Sequence, residues 1–270
     1  MAETMNGSHL VARGDGGVLH CLVDGPQRSP SEPPLLLIPS TRGGAELWSG
    51  FAQRLAEHRR TLSLDLPGVG CSTDPSGILT TRRMARDVLD CLDRMQIESV
   101  LLFGASLGSL VATWVAIDAP ERVERLVLVS SAARGIDFSP ARLYRALLDA
   151  ECAATLPSGD DELFGPESGM RVTMQARPPI ERRSGARRRA ARFVVAALAH
   201  WPGPSLARIV APTLVLSGDE DTIVSPCACV RLVEALPRAT LALVPHLGHD
   251  MVSEDPALCA RYVLEFAASS

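Results

Sequence analysis

Apolar positions in this chain gather into short unbroken runs: Val18–Val23, Leu35–Ile38, Thr61–Leu66, Val100–Phe103, Val123–Val129, Thr213–Leu216 and Thr240–Val244. Runs this short, without polar alternation, suit strands covered on both faces, as in a parallel sheet. Between them the spacing turns helical, over Leu47–Glu57, Thr80–Met95, Leu107–Asp118, Pro226–Leu236 and Pro256–Ala267. Strand alternating with helix predicts repeated βαβ units. The expected fold is α/β, a mostly parallel central sheet flanked by helices.

The alternation stops between about Arg134 and Arg208. Leu143, Leu147 and Leu148, then Phe193, Val194, Ala197, Leu198 and Trp201, keep helical spacing there, broken at Pro157–Asp161 and Gly165–Gly169. This predicts a helical insertion lying over the sheet. Residues 134–206 carry 11 arginines against 8 acids, whereas the remainder has 16 against 23.

Composition narrows the class. Of 270 residues, 46% are hydrophobic and 21% charged, which excludes a disordered chain, a collagen-like chain and a coiled coil. A net charge of −4 gives no reason to expect a nucleic-acid partner. All 27 basic residues are arginine, which excludes a lysine Schiff base and a lysine-bearing phosphate loop. Seven scattered cysteines do not form a disulfide framework, and Cys227 and Cys229 lack the spacing of a zinc site. Residues 1–13 lack the pattern of a signal peptide, and no apolar run approaches the ~20 residues of a membrane span. A cytoplasmic protein without a membrane partner, monomeric or homodimeric, is expected.

The run Val100–Phe103 leads into Gly104-Ala105-Ser106-Leu107-Gly108, and an apolar helix follows. G-x-S-x-G between a buried strand and a helix is the setting in which a serine is lifted clear of a sheet as a nucleophile. The helix start behind it brings the Leu107 N–H and the positive helix end to a developing oxyanion. A glycine-rich helix start without chemistry is the plain alternative, and a bare G-x-S-x-G often arises by chance. A serine needs a base, and the base an orienting acid. The run Thr213–Leu216 is followed by Ser217-Gly218-Asp219-Glu220-Asp221, and Thr240–Val244 by Pro245-His246-Leu247-Gly248-His249. The order Ser, Asp, His is met. Each carboxylate or histidine alone could be a solvated turn residue; beside the serine motif they point to a triad.

These residues resemble the α/β-hydrolase fold superfamily, over nearly the whole chain outside 134–208. Leu35–Ile38 looks like the strand before the family's oxyanion loop. Asp65-Leu66-Pro67-Gly68-Val69-Gly70-Cys71-Ser72 is similar to its D-x-x-G-x-G-x-S loop, and Pro212–Gly218 to its P-x-L-x-x-x-G strand. The resemblance implies Asp221 rather than Asp219 as the acid, and His249 of the Gly-His pair rather than His246 as the base. It implies a core over residues 1–133 and 207–270 with a helical cap at 134–206. Pro39-Ser40 stands where the family usually has His-Gly, and the next N–H, from Thr41, is the second oxyanion donor by position. Ser40 cannot take positive φ as cheaply as glycine, so the loop is expected to be shaped differently.

Other signals are weaker. Gly68-Val69-Gly70 fails as a dinucleotide fingerprint, because Thr73 stands where the third glycine belongs. His246, His249 and Asp250 read better as a triad base beside a surface histidine than as a zinc site. No metal and no cofactor is called for. The acid-free run of Arg182, Arg183, Arg187, Arg188, Arg189 and Arg192 reads as a solvated helix face, or as attraction for an anionic or carrier-linked acyl substrate. Met170, Met174 and Trp201 suit an apolar pocket or ordinary packing equally. The implied function is hydrolysis of a carboxylic ester or thioester through an acyl-enzyme. An acyltransferase or a C–C bond hydrolase with the same triad, or a ligand receptor on a hydrolase scaffold, stays open.

Overall fold

The computed structural model describes residues 6–26, 32–40, 44–153 and 179–269. Eight strands form one sheet: β1 (Gly7–Ala12), β2 (Val18–Asp24), β3 (Leu35–Ile38), β4 (Thr61–Leu64), β5 (Val100–Ala105), β6 (Val123–Val129), β7 (Thr213–Gly218) and β8 (Ala239–Val244). Their order is β1-β2-β4-β3-β5-β6-β7-β8. From β4 to β8 every pairing is parallel, while β1–β2 and β2–β4 are antiparallel. The sheet is therefore α/β and mostly parallel, as the apolar runs predict.

The continuous runs serve two cores at once, because successive side chains point to opposite faces. Leu36, Ile38, Leu102, Leu126, Leu128 and Val215 belong to one core. Leu35, Leu37, Leu101, Phe103, Val127, Val129 and Leu216 belong to the other. Burying each such side chain stabilises the fold by roughly 1.5–3 kcal/mol relative to exposure.

Among the described residues there are eight α-helices: α1 (Ser49–Ala56), α2 (Thr81–Arg94), α3 (Leu107–Asp118), α4 (Pro140–Ala153), α5 (Pro179–Leu198), α6 (Pro226–Ala235), α7 (Met251–Glu254) and α8 (Pro256–Ala268). The Thr80 side chain caps α2 by accepting from the Arg83 N–H, and Asp255 caps α8 by accepting from Leu258. On one face, Trp48 and Phe51 pack edge-on or tilted against Phe103, with ring centroids 5.6 and 5.1 Å away. Helix α3 is buried nearly all round, which is why its residues are apolar without a polar stripe.

The predicted elements recur within a residue or two at most ends. Strand β1 carries no signal in the apolar pattern. It is an edge strand with alternating exposure, and its Gly-Ser-His-Leu-Val-Ala sequence lacks an apolar run. Helices α4 and α5 lie between β6 and β7, where the alternation stops. The breaks at 157–161 and 165–169, with Met170 and Met174, lie outside the described residues. The entry to this segment is tied to the loop after β7: Phe138 bridges Val224, and the Ser139 N–H donates to the Ile223 carbonyl at 2.8 Å.

Candidate active site

Parallel pairing brings the ends of β5, β6, β7 and β8 to one edge of the sheet. Ser106 follows β5 directly and starts α3 from φ 52° and ψ −121°, a strained conformation for a residue with a side chain. The flanking glycines explain how the turn closes. A Cβ on Gly108 would overlap the Ile38 carbonyl oxygen, and one on Gly104 would meet the Gly108 carbonyl oxygen at 2.5 Å. The Ser106 N–H is tied to the Val129 carbonyl on β6 at 2.9 Å.

The loop after β8 carries His249, whose Nε2 lies 2.8 Å from Ser106 Oγ. Its Nδ1 lies 2.9 Å from Asp221 Oδ2 and 3.1 Å from Oδ1. Asp221 Oδ1 also accepts from the Ile223 and Val224 N–H groups, at 2.8 and 2.9 Å. Burial acts to raise the Asp221 pKa. The hydrogen bond from His249, its charge and the two backbone donors outweigh burial and hold the carboxyl below its ordinary value. The carboxyl is thus ionised while enclosed, with both oxygens facing Nδ1 of the His249 ring.

Of the two carboxylates and two histidines that the sequence offers, the structure brings Asp221 and His249 to Ser106. Asp219 instead accepts from the His246 N–H at 2.7 Å. His246 sits at φ 61° with its side chain 88% exposed, so both belong to the turn. Leu107 opens α3, where an N–H has no acceptor one turn earlier in the helix. Thr41, with residues 42–43, lies outside the described residues. Pro39 and Ser40 are buried, and Gly44 packs on the Asp65 carboxylate.

One residue of this edge carries almost no sequence signal. Ser130, just past β6, donates from Oγ to the His249 carbonyl at 3.1 Å, and its N–H to the Leu216 carbonyl at 2.9 Å. Its only sequence signal is a polar pair, Ser130-Ser131, after a buried apolar strand. The hollow lined by Asp93, Gln96, Ile97, Glu98 and Arg122 shares no residue with this site.

A nucleophile, a base in reach of it and an acid orienting the base are the parts of covalent hydrolytic chemistry. The model of the alpha/beta hydrolase fold family matches residues 33–165. RutD, a candidate carbamate hydrolase of Variovorax paradoxus strain S110, is 31% identical over 93% of this chain and 96% of its own. The chain belongs to the α/β-hydrolase superfamily and is a hydrolytic enzyme. A pimeloyl-[acyl-carrier protein] methyl ester esterase of Nitrosomonas europaea is 28% identical, covering 80% of this chain and 88% of its own. The crystal structure of a hydrolase from Pseudomonas aeruginosa PA01 superposes with a TM-score of 0.72 at 28% identity, covering all of both chains. Among the described residues no helix is long and apolar enough to cross a membrane.

Proposed function

We propose that this α/β hydrolase cleaves a carboxylic ester or thioester through an acyl-enzyme on Ser106. The observation that carries the reading is the unbroken chain of short contacts from Ser106 Oγ through His249 to Asp221. Ser106 Oγ attacks the acyl carbon while His249 Nε2 takes its proton. The same proton then goes to the leaving alcohol or thiol. Water, activated by His249, hydrolyses the acyl-serine in the second half. Asp221 holds the tautomer with its proton on Nδ1 and stabilises the imidazolium that forms. The Leu107 N–H binds the oxyanion, with the Thr41 N–H as its partner. Each such donor is worth about 3 kcal/mol at the transition state.

Residues 134–206, including α4 and α5, act in this reading as a cap that shapes the acyl pocket over the 1–133 and 207–270 core. Arg187 and Arg188 are exposed on α5 and suit an acyl group presented on an anionic or carrier-linked leaving group; the Arg182 and Arg183 side chains lie outside the described residues. A cytoplasmic setting and a small-molecule substrate complete the proposal.

The test is mass spectrometry of the chain mixed with a slow activated ester or a fluorophosphonate. A single adduct on Ser106, absent in Ser106→Ala, is expected, with a burst of leaving group equal to the enzyme present. Labelling that persists in Ser106→Ala would overturn the assignment. Products formed with added alcohols or amines identify an acyltransferase, and turnover of diketones but not esters a C–C hydrolase. Absence of all turnover leaves a receptor.

A further inference from the structure

Away from Ser106, another set of side chains is arranged as donors. One ring nitrogen of His20 on β2, a carboxylate oxygen of Asp65 after β4 and the sulfur of Cys71 lie within 4.8 Å of one another. His20 and Asp65 are buried and Cys71 is exposed, so the group reaches the surface at Cys71. His20 Nδ1 faces Asp65 Oδ2 at 2.8 Å.

The partners behind these donors are also in place. His20 Nε2 lies 2.9 Å from Ser8 Oγ on β1, which fixes the ring. Asp65 Oδ1 accepts from the Ala45 N–H at 2.5 Å, and Oδ2 from the Cys71 N–H at 2.9 Å. A metal-bound histidine usually donates its far N–H to such a partner, and ligating carboxylates are usually held in the same way. Gly70 is required here, since a Cβ would overlap the Asp65 carboxylate.

We propose that His20, Asp65 and Cys71 form a three-donor site for a thiophilic divalent cation of the Zn²⁺ type, with water as fourth ligand. One nitrogen, one oxygen and one sulfur suit a borderline-soft tetrahedral ion, whereas Ca²⁺ and Mg²⁺ favour all-oxygen sets. Tetrahedral bonds of about 2.0–2.3 Å set neighbouring donors roughly 3.3–3.7 Å apart. The His20–Asp65 contact therefore opens by about half an ångström, and the ion replaces the proton between them. That proton moves from Nδ1 to Nε2, where Ser8 Oγ accepts it; a hydroxyl can serve as donor in one state and acceptor in the other. The Cys71 thiol proton leaves to solvent as the thiolate binds.

The test uses the full chain and Cd²⁺, whose bond to thiolate has an ultraviolet charge-transfer band. One equivalent of Cd²⁺ should produce a saturable band, and Zn²⁺ should suppress it by competition. Cys71→Ser should abolish the band, and its exposed position lets the variant keep the wild-type melting temperature. Ser8→Ala should weaken Cd²⁺ binding roughly tenfold, as loss of an outer partner does. Cys227→Ser, at the other cysteine exposed among the described residues, should leave the titration unchanged. No band, or a band that survives Cys71→Ser, would overturn the proposal. The readout is independent of turnover, so neither outcome bears on Ser106.

Discussion

Ser130 holds the backbone of His249 from a conformation that serine rarely adopts. Its φ is 49°, it is fully buried, and its Oγ donates to the His249 carbonyl at 3.1 Å. Val129, one residue earlier, accepts from the Ser106 N–H. The end of β6 therefore fastens both the Ser106 turn and the His249 loop, and sets the distance between them.

Ser130→Ala should lower kcat about fivefold with KM near wild type, since one net hydrogen bond is worth about 1 kcal/mol. Ser130→Gly should lose the same factor in kcat yet melt above Ser130→Ala, because glycine accepts positive φ without strain. Equal melting temperatures, or wild-type kcat in both, would count against a positioning role.

Asp221→Asn should reduce turnover by on the order of 10⁴, by analogy with the loss of an orienting acid in a serine protease. Asp219→Asn should stay within a few-fold of wild type, since the Asp219 side chain caps the His246 N–H away from Ser106. Steady-state kinetics of the two variants check the pair. A crippled Asp219→Asn beside an active Asp221→Asn would reverse the assignment.

His249→Ala should nearly abolish ester turnover, and His246→Ala should leave both rate and pH profile intact. The His246 ring is exposed and lies 3.5 Å from the Glu220 carboxylate. Residual activity of His249→Ala within tenfold of wild type would remove the general base from the mechanism.

His200, after α5, makes stability acid-sensitive. Its ring is 2% exposed, with Nδ1 3.0 Å from Thr81 Oγ1, the Trp114 ring at 6.0 Å and no hydrogen-bond partner for Nε2 among the described residues. Burial pushes its pKa down from 6.5 to about 3. The unfolded chain thus binds a proton that the folded chain refuses between those values. This contribution is fully present above pH 6.5 and is lost as pH falls towards 3, at up to about 1.4 kcal/mol per unit. Denaturant unfolding at several pH values should show a shallower acid slope for His200→Leu than for wild type. Parallel slopes would exclude His200 as the cause.

The local pattern is enough to predict the class of fold, seven of the eight described strands and a serine at the turn between β5 and α3. Apolar runs, helical spacing and G-x-S-x-G are short-range signals, and burial on both faces leaves few other ways to satisfy them. The choice of Asp221 and His249 rests on motif resemblance; spacing alone leaves Asp219 and His246 equally open. Tertiary structure decided what depends on distant contacts. Ser106 and His249 are 143 positions apart, and only parallel register brings them to 2.8 Å. Ser130 reaches His249 across 119 positions, and His20 reaches Asp65 across 45, with no local periodicity to announce either. Strand β1 alternates as an exposed edge and forms only because β2 offers a register partner, so its residues lack an apolar run. A sequence encodes such pairs only through the sum of its packing, since the free energy that selects them is shared among residues far apart in the chain.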